Sequence, residues 1–193
     1  MTKSMKRSIP SLKQPSEAKR ELRRRKAAQI QALEPEYIAQ SDAEIARRLL
    51  SLEELKSAEN VFIYCSVGRE VATQNVIKEL LRKGKRVALP VSGTAGEMEF
   101  YPVSDMAELK PGRFGIPEPP VTRKLIPQEN DIVIVPALCC DEQNFRLGHG
   151  MGYYDRFLAE SSAFTVCLCR KRLVEKRIPT QETDIPVSLV LTE

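Results

Sequence analysis

The residues best suited to chemistry are concentrated in one segment, Asp141-Glu-Gln-Asn-Phe-Arg146-Leu-Gly148-His-Gly150-Met-Gly152-Tyr-Tyr154-Asp155. Three glycines alternate, and glycine permits positive φ and close approach of a ligand to the backbone. The spacing predicts a helix over 153–160, whose free N–H groups and positive dipole end favour an anion. Arg146 adds a planar charged fork. Together these groups can cradle phosphate, although the spacing also fits a glycine-rich turn without a ligand. Neither the dinucleotide fingerprint G-x-G-x-x-G nor the phosphate-binding loop G-x-x-x-x-G-K-[ST] is present. A carboxylate placed as Asp155 is repels phosphate unless a divalent cation lies between them, and magnesium takes one or two carboxylates plus phosphate oxygens. Asp184, ahead of the last apolar run, is a candidate second ligand. Without that context, Asp155 reads as a charge in a first helical turn. His149 is the only histidine in the chain.

The elements that must position this loop follow from the apolar pattern. The continuous run 131–135 is the strongest strand, and ligands in open α/β sheets sit beyond the C-terminal ends of such strands. Runs at 61–65 and 86–90 flank a helix that Thr73 caps and Gly84 stops, a strand–helix–strand unit of parallel-sheet type. Further strands are expected at 98–101, 164–168 and 187–191, with a helical turn at 104–109 and a proline-rich loop at 111–120. Ahead of the sheet, Ser16 caps a helix over 17–33, with Ala18, Leu22, Ile30 and Leu33 as its apolar stripe. Pro35 opens a second helix to about Leu50, with Ile38, Ile45 and Leu49 on one face. Ser51-x-x-Glu54 resembles a capping box for a short third helix. The expected fold is α/β, a three-layer Rossmann-like arrangement with a mostly parallel central sheet and an N-terminal helical arm. Residues 1–15 are expected to be a disordered basic tail, and 16–193 a single domain.

Composition narrows the class. At 193 residues and 42% hydrophobic content the chain can bury a substantial core, and no run approaches the roughly 20 apolar residues of a membrane span. The basic N-terminus lacks the apolar run of a signal peptide, which places the protein in the cytoplasm. Residues 1–26 hold ten Lys or Arg against two Glu, a net of +8 in a chain of net +4. The remainder is therefore −4. That imbalance points to an anionic partner for the first segment, or to a solvated helix face. Cys65, Cys139, Cys140, Cys167 and Cys169 form neither a disulfide framework nor a zinc pattern, and read as buried thiols.

Four blocks in order resemble the 5-formyltetrahydrofolate cyclo-ligase family, also called methenyltetrahydrofolate synthetases. They are Lys19-Arg20-Glu-Leu-Arg23, Tyr64-Cys-Ser66-Val-Gly-Arg-Glu70-Val-Ala-Thr73, Phe114-Gly-Ile-Pro-Glu-Pro119, and the glycine signature Arg146–Asp155. Three positions depart from the family's habit, among them Cys140, which stands where an aromatic is common. Asn144 stands where glycine is common, and its tolerance of the left-handed region should preserve the turn. Ser188 stands where a carboxylate is frequent.

The resemblance implies an enzyme that uses ATP and magnesium to close 5-formyltetrahydrofolate to 5,10-methenyltetrahydrofolate. It implies ATP contacts from Lys19, Arg20, Arg23 and Arg146, and from the loop Leu147, Gly148, His149, Gly150, Met151 and Gly152 with Tyr153 and Tyr154. Cys65, Glu70, Phe114, His149, Gly150, Met151, Gly152 and Tyr153 would hold the folate. Asp155 and Asp184 would carry Mg2+, and Arg146, Tyr153 and Asp155 would form the catalytic group. Glu70 would accept hydrogen bonds from the pterin ring. His149 is read as a loop contact, because the family varies there and the reaction needs no strong base. The expected partners are small molecules, with a monomer expected and nucleic acid disfavoured. The competing readings are an inactive nucleotide-, folate- or RNA-binding relative of the same fold, and a sugar-phosphate isomerase or acyl-CoA transferase that needs no ATP.

Overall fold

The computed structural model describes residues 16–93 and 96–193; the side chain of Phe114 lies outside that description, as does the expected tail 1–15. The chain forms α1 (Glu17–Ala32), α2 (Pro35–Ser51) and α3 (Glu53–Ser57) before its first strand, β1 (Asn60–Ile63). Helix α4 (Gln74–Arg82) leads into the hairpin β2 (Arg86–Ser92) and β3 (Met98–Val103). Two short strands, β4 (Lys110–Pro111) and β5 (Pro117–Glu118), pinch the proline-rich loop. Strand β6 (Ile132–Pro136) precedes a ribbon of β7 (Cys139–Cys140) and β8 (Arg146–Leu147), then α5 (Tyr153–Leu158), β9 (Phe164–Leu168) and β10 (Leu189–Leu191).

The main sheet has the order β10-β9-β6-β1-β2-β3. Its pairings are parallel except β2 with β3, which is an antiparallel hairpin edge. The chain order reverses at β1: β2 and β3 lie to one side, while β6, β9 and β10 return on the other. The crevice beyond the C-terminal ends of β1 and β6 is thus the switch point at which such sheets bind ligands.

Alternation along the strands builds two apolar layers. Val61, Ile63, Ile132, Ile134, Val166 and Leu168 face α2, α3 and α4 through Ile45, Leu49, Leu55, Ile77 and Leu80. Phe62, Val133, Val135 and Cys167 face the other way, onto Leu22 of α1, Leu33 just past its end and Leu158 of α5. The result is the expected three-layer α/β fold. Asp131, buried just ahead of β6, locks the register at this end, accepting hydrogen bonds from the backbone N–H and side-chain amide of Asn60 and from the Gln128 N–H. All five cysteines are free and buried. Cys140 and Cys167 bring their sulfurs within 3.1 Å across the second layer.

Four local expectations are corrected. The buried stripe of α1 is Lys19, Leu22 and Lys26, while Ala18 is exposed. The rest of the expected stripe holds, with Leu22 and Leu33 buried and Ile30 packed beside them. Lys19 and Lys26 are buried in addition because acceptors elsewhere in the chain meet both. Ser51 is not a cap for α3; it is the last residue of α2, and its hydroxyl donates to the Arg47 carbonyl at 2.7 Å. Thr73 is the N-cap residue of α4 without a side-chain cap bond, since its hydroxyl donates to the Tyr64 carbonyl and accepts from the Ser66 N–H. The last helix, α5, ends at Leu158 rather than at 160.

Candidate functional site

Asp141 sets the geometry of the glycine segment. It is 2% exposed, and its Oδ1 accepts from the N–H groups of Gln143 and Phe145 while Oδ2 accepts from that of Ile178. The turn passes through Asn144 at φ +66, the left-handed conformation expected for it. The chain then returns as β8, which buries Arg146 beneath the loop.

Arg146 Nη2 pairs with Asp155 Oδ1 at 3.0 Å, joining the two ends of the signature. Its Cζ lies 5.6 Å from the Tyr154 ring centroid. Arg146 Nε is buried without a hydrogen-bond partner among the described residues, a donor left over for a ligand oxygen. Between Arg146 and α5, Gly150 and Gly152 adopt φ of +106 and +66. Only glycine takes such values at Gly150 without strain, and a side chain there would also press on the Arg23 guanidinium.

The first helix delivers two cations to this loop. Lys19 Nζ pairs with Asp184 at 2.5 Å, and Arg23 Nε donates to the Gly148 carbonyl at 2.9 Å. Burial lowers the pKa of Arg23, and the nearby Asp184 and Asp155 charges oppose that shift. Asp184 is held in place by the Gln181 N–H, and Asp155 Oδ1 lies 3.5 Å from the Ile185 N–H. Lys19, Arg23, Arg146, Asp155 and Asp184 therefore converge from three distant parts of the chain. Arg20 does not join them; it is exposed in a surface depression with Glu17, Glu21 and Arg24.

On the other side of the loop, His149 Nε2 lies 3.6 Å from Glu70 Oε1, and Glu70 Oε2 accepts from the Val67 N–H. The Glu70 segment is fixed from below by Arg170, 1% exposed, which donates to the carbonyls of Arg69 and Glu70 and pairs with Asp42. Cys65 is buried at the end of β1, and burial and then the Glu70 charge push its thiol pKa up. Burial, and then the Glu70 charge, likewise raise the pKa of Tyr154.

The central loop is tied to the β2–β3 turn. Arg113 donates to the Gly93 carbonyl, and Glu118 accepts from the Ser92 N–H. Tyr153 donates to the same Gly93 carbonyl at 3.2 Å. Phe114 sits in this loop. Met151 is exposed at the tip of the glycine loop, while Leu147 is buried beneath it.

Sequence reasoning placed Asp141 with the signature but not its role as acceptor for the turn, and it missed Arg170, Lys26 and Arg156 as organising residues. Arg156 alone carried a local signal: it follows the signature directly and lies three residues from Tyr153 on one helix, so the two side chains meet.

The model of the 5-formyltetrahydrofolate cyclo-ligase family matches residues 15–193. The chain is 34% identical over 173 residues to the 5-formyltetrahydrofolate cyclo-ligase of Escherichia coli K12, covering 83% of this chain and 92% of that one. To the enzyme of the same name from Mycolicibacterium smegmatis it is 32% identical over 169 residues, covering 82% and 85%. The solved structure of Aquifex aeolicus 5,10-methenyltetrahydrofolate synthetase superposes with a TM-score of 0.80 at 32% identity, covering 90% of this chain and 88% of that one. The Mycoplasma pneumoniae synthetase shares the fold, with a TM-score of 0.72 at 19% identity. The chain thus has named counterparts across most of its length, and it belongs to the 5-formyltetrahydrofolate cyclo-ligase family.

Proposed function

We propose that this protein closes 5-formyltetrahydrofolate to 5,10-methenyltetrahydrofolate, converting ATP to ADP and phosphate. The observation that carries the reading is the convergence of Lys19, Arg23, Arg146, Asp155 and Asp184 on the glycine loop, with Glu70 and His149 on its other side. The first group suits a nucleotide triphosphate with its metal. The second offers a carboxylate to the donors of a pterin ring.

The donor set fits magnesium. Among the described residues no cluster of three or more His, Cys, Asp or Glu is arranged for a metal. Two carboxylates remain, and magnesium is content with one or two plus phosphate oxygens and water. Asp155 and Asp184 would hold it, and it would neutralise charge on the phosphates during transfer.

The formyl oxygen attacks the γ-phosphorus and ADP leaves. N10 then attacks the activated formyl carbon, N10 loses its proton, and phosphate departs with the former formyl oxygen. Arg146, Lys19 and Arg23 hold the phosphates, and loop N–H groups orient them. Tyr153 and Tyr154 flank the reacting ligands. In such a transfer the protein chiefly positions groups and balances charge. Cys65, at the end of β1, lines the folate side with its backbone. Of the six cations of α1, Lys19 and Lys26 are turned inward, while Arg20, Arg24 and Arg25 remain exposed.

Near-ultraviolet absorbance of the protein with 5-formyltetrahydrofolate and MgATP tests the reading. A methenyl-folate band that requires ATP and falls at least a hundredfold in rate for Asp155→Asn is expected. Binding of both ligands without the band would replace the enzyme by a binding protein of the same fold.

A further inference from the structure

Arg156 crosses from α5 to the β2–β3 turn. Its Nε and Nη2 donate to the Gly96 carbonyl at 3.1 and 2.7 Å, and Nη2 also donates to the Met151 carbonyl at 2.9 Å. Its Cζ lies 5.6 Å from the centroid of the Tyr153 ring, close enough for cation–π attraction. The turn is shaped to receive it: Gly96 has φ +90, and a Cβ there would lie 2.5 Å from Nη2. The third nitrogen, Nη1, is buried without a partner among the described residues. Tyr153 reaches the same turn independently, through the Gly93 carbonyl, which Arg113 of the central loop also engages.

We propose that Arg156 is a positioning residue that holds the glycine loop and the Tyr153 ring against the β2–β3 turn before any ligand arrives. This rests on the nucleotide-binding role given above to the loop. Between Gly148 and Gly152 three of five residues are glycine, so the unbound segment has unusual backbone freedom. Fixing such a segment on binding costs conformational entropy. A side chain that fixes the Met151 carbonyl in advance removes part of that cost. Because the ordering is needed equally in the ground and transition states, losing it weakens binding without slowing chemistry.

Arg156→Ala is expected to raise KM for MgATP about tenfold while kcat stays within twofold. Millimolar methylguanidinium should restore KM in that variant and leave the wild type unchanged. Gly96→Ala attacks the same contact from the other side, so the double variant should lose no more than the worse single one. Calorimetric binding of a non-hydrolysable ATP analogue, without folate, separates the possible failures. If the wild type binds and Arg156→Ala binds equally well, the positioning role is overturned and the nucleotide site stands. If the wild type does not bind, both are overturned. Should Arg156→Ala fail to fold, Arg156→Lys carries the same comparison with a smaller expected rise in KM.

Discussion

Lys19 and Asp184 are 165 residues apart in the chain, yet the lysine ammonium lies 2.5 Å from the Asp184 carboxylate. Arg146 and Asp155 repeat the arrangement at 3.0 Å. Each proposed metal ligand is thus already paired with a proposed phosphate ligand. Metal alone must displace a cation from its carboxylate, whereas MgATP lets the partners exchange, with cations moving to phosphate and carboxylates to metal. Manganese, as a probe, should therefore bind weakly by itself and at least tenfold more tightly with a non-hydrolysable ATP analogue, a difference of about 1.4 kcal/mol. Lys19→Met should strengthen manganese binding without nucleotide and weaken nucleotide binding. Isothermal titration of each ligand alone checks both signs, and a fall in both affinities would count against the exchange.

Gly150→Ala should combine two penalties. Its φ of +106 disfavours any side chain, and the added Cβ would sit 3.2 Å from the Arg23 guanidinium carbon. A stability loss of about 1–2 kcal/mol is expected from the backbone conformation. Displacement of Arg23 should also raise KM for MgATP. Denaturant unfolding and steady-state kinetics on the same preparation check the two effects; unchanged nucleotide binding would mean that Arg23 does not take part.

Glu175 offers a pH test away from the site. It neutralises the buried Lys26 at 2.8 Å, and the Lys26 hydrogen bond is the largest cause of its lowered pKa. A carboxylate whose pKa falls on folding adds stability that is fully present above its unfolded value. That stability is lost as pH drops through the lowered folded value. Glu175→Gln should therefore cost about 2 kcal/mol at pH 7. The gap to the wild type should narrow as pH falls below the ordinary 4.5. Urea unfolding at several pH values gives the comparison, and a gap independent of pH would remove Glu175 as the charged partner.

The thiols should be silent in the folded protein. Burial pushes Cys139 up to about 12, which leaves a thiolate fraction of about 10⁻⁴ at pH 8. Iodoacetamide should leave the native protein unlabelled over a period in which all five cysteines react in urea. Prompt labelling of Cys139 or Cys140 would show that the second apolar layer opens far more readily than its packing implies.

What could be read from the sequence depended on how local the cause was. The strands were legible because alternating apolar residues such as Val133 and Ile134 need only a sheet with two covered faces. Gly84 and Asn144 were legible because positive φ is a property of the residue itself. Thr73 was rightly placed at the start of α4, but its hydroxyl oxygen accepts from the Ser66 N–H rather than from the helix. Ser51 was misread because α2 runs through it and its hydroxyl donates back to the Arg47 carbonyl. Lys19 and Lys26 were hidden as buried residues because their acceptors, Asp184, Leu173 and Glu175, lie about 150 residues further on. No local pattern tells a solvated lysine from one with a distant partner. The signature named the loop residues of the site but not Arg170, whose task of fixing the Glu70 segment exists only once α2 and β9 are side by side.

The pairing of α1 with residues 173–184 also orders the birth of the molecule. During synthesis α1 leaves the ribosome long before its acceptors do, so Lys19 and Lys26 must wait in water while the sheet is laid down. A nascent chain halted after β9 would own its glycine loop and Arg146 yet lack Asp184 and Glu175. The arm would have no carboxylates to draw it onto the second layer. Docking of the arm would then wait until residues 173–184 have been made.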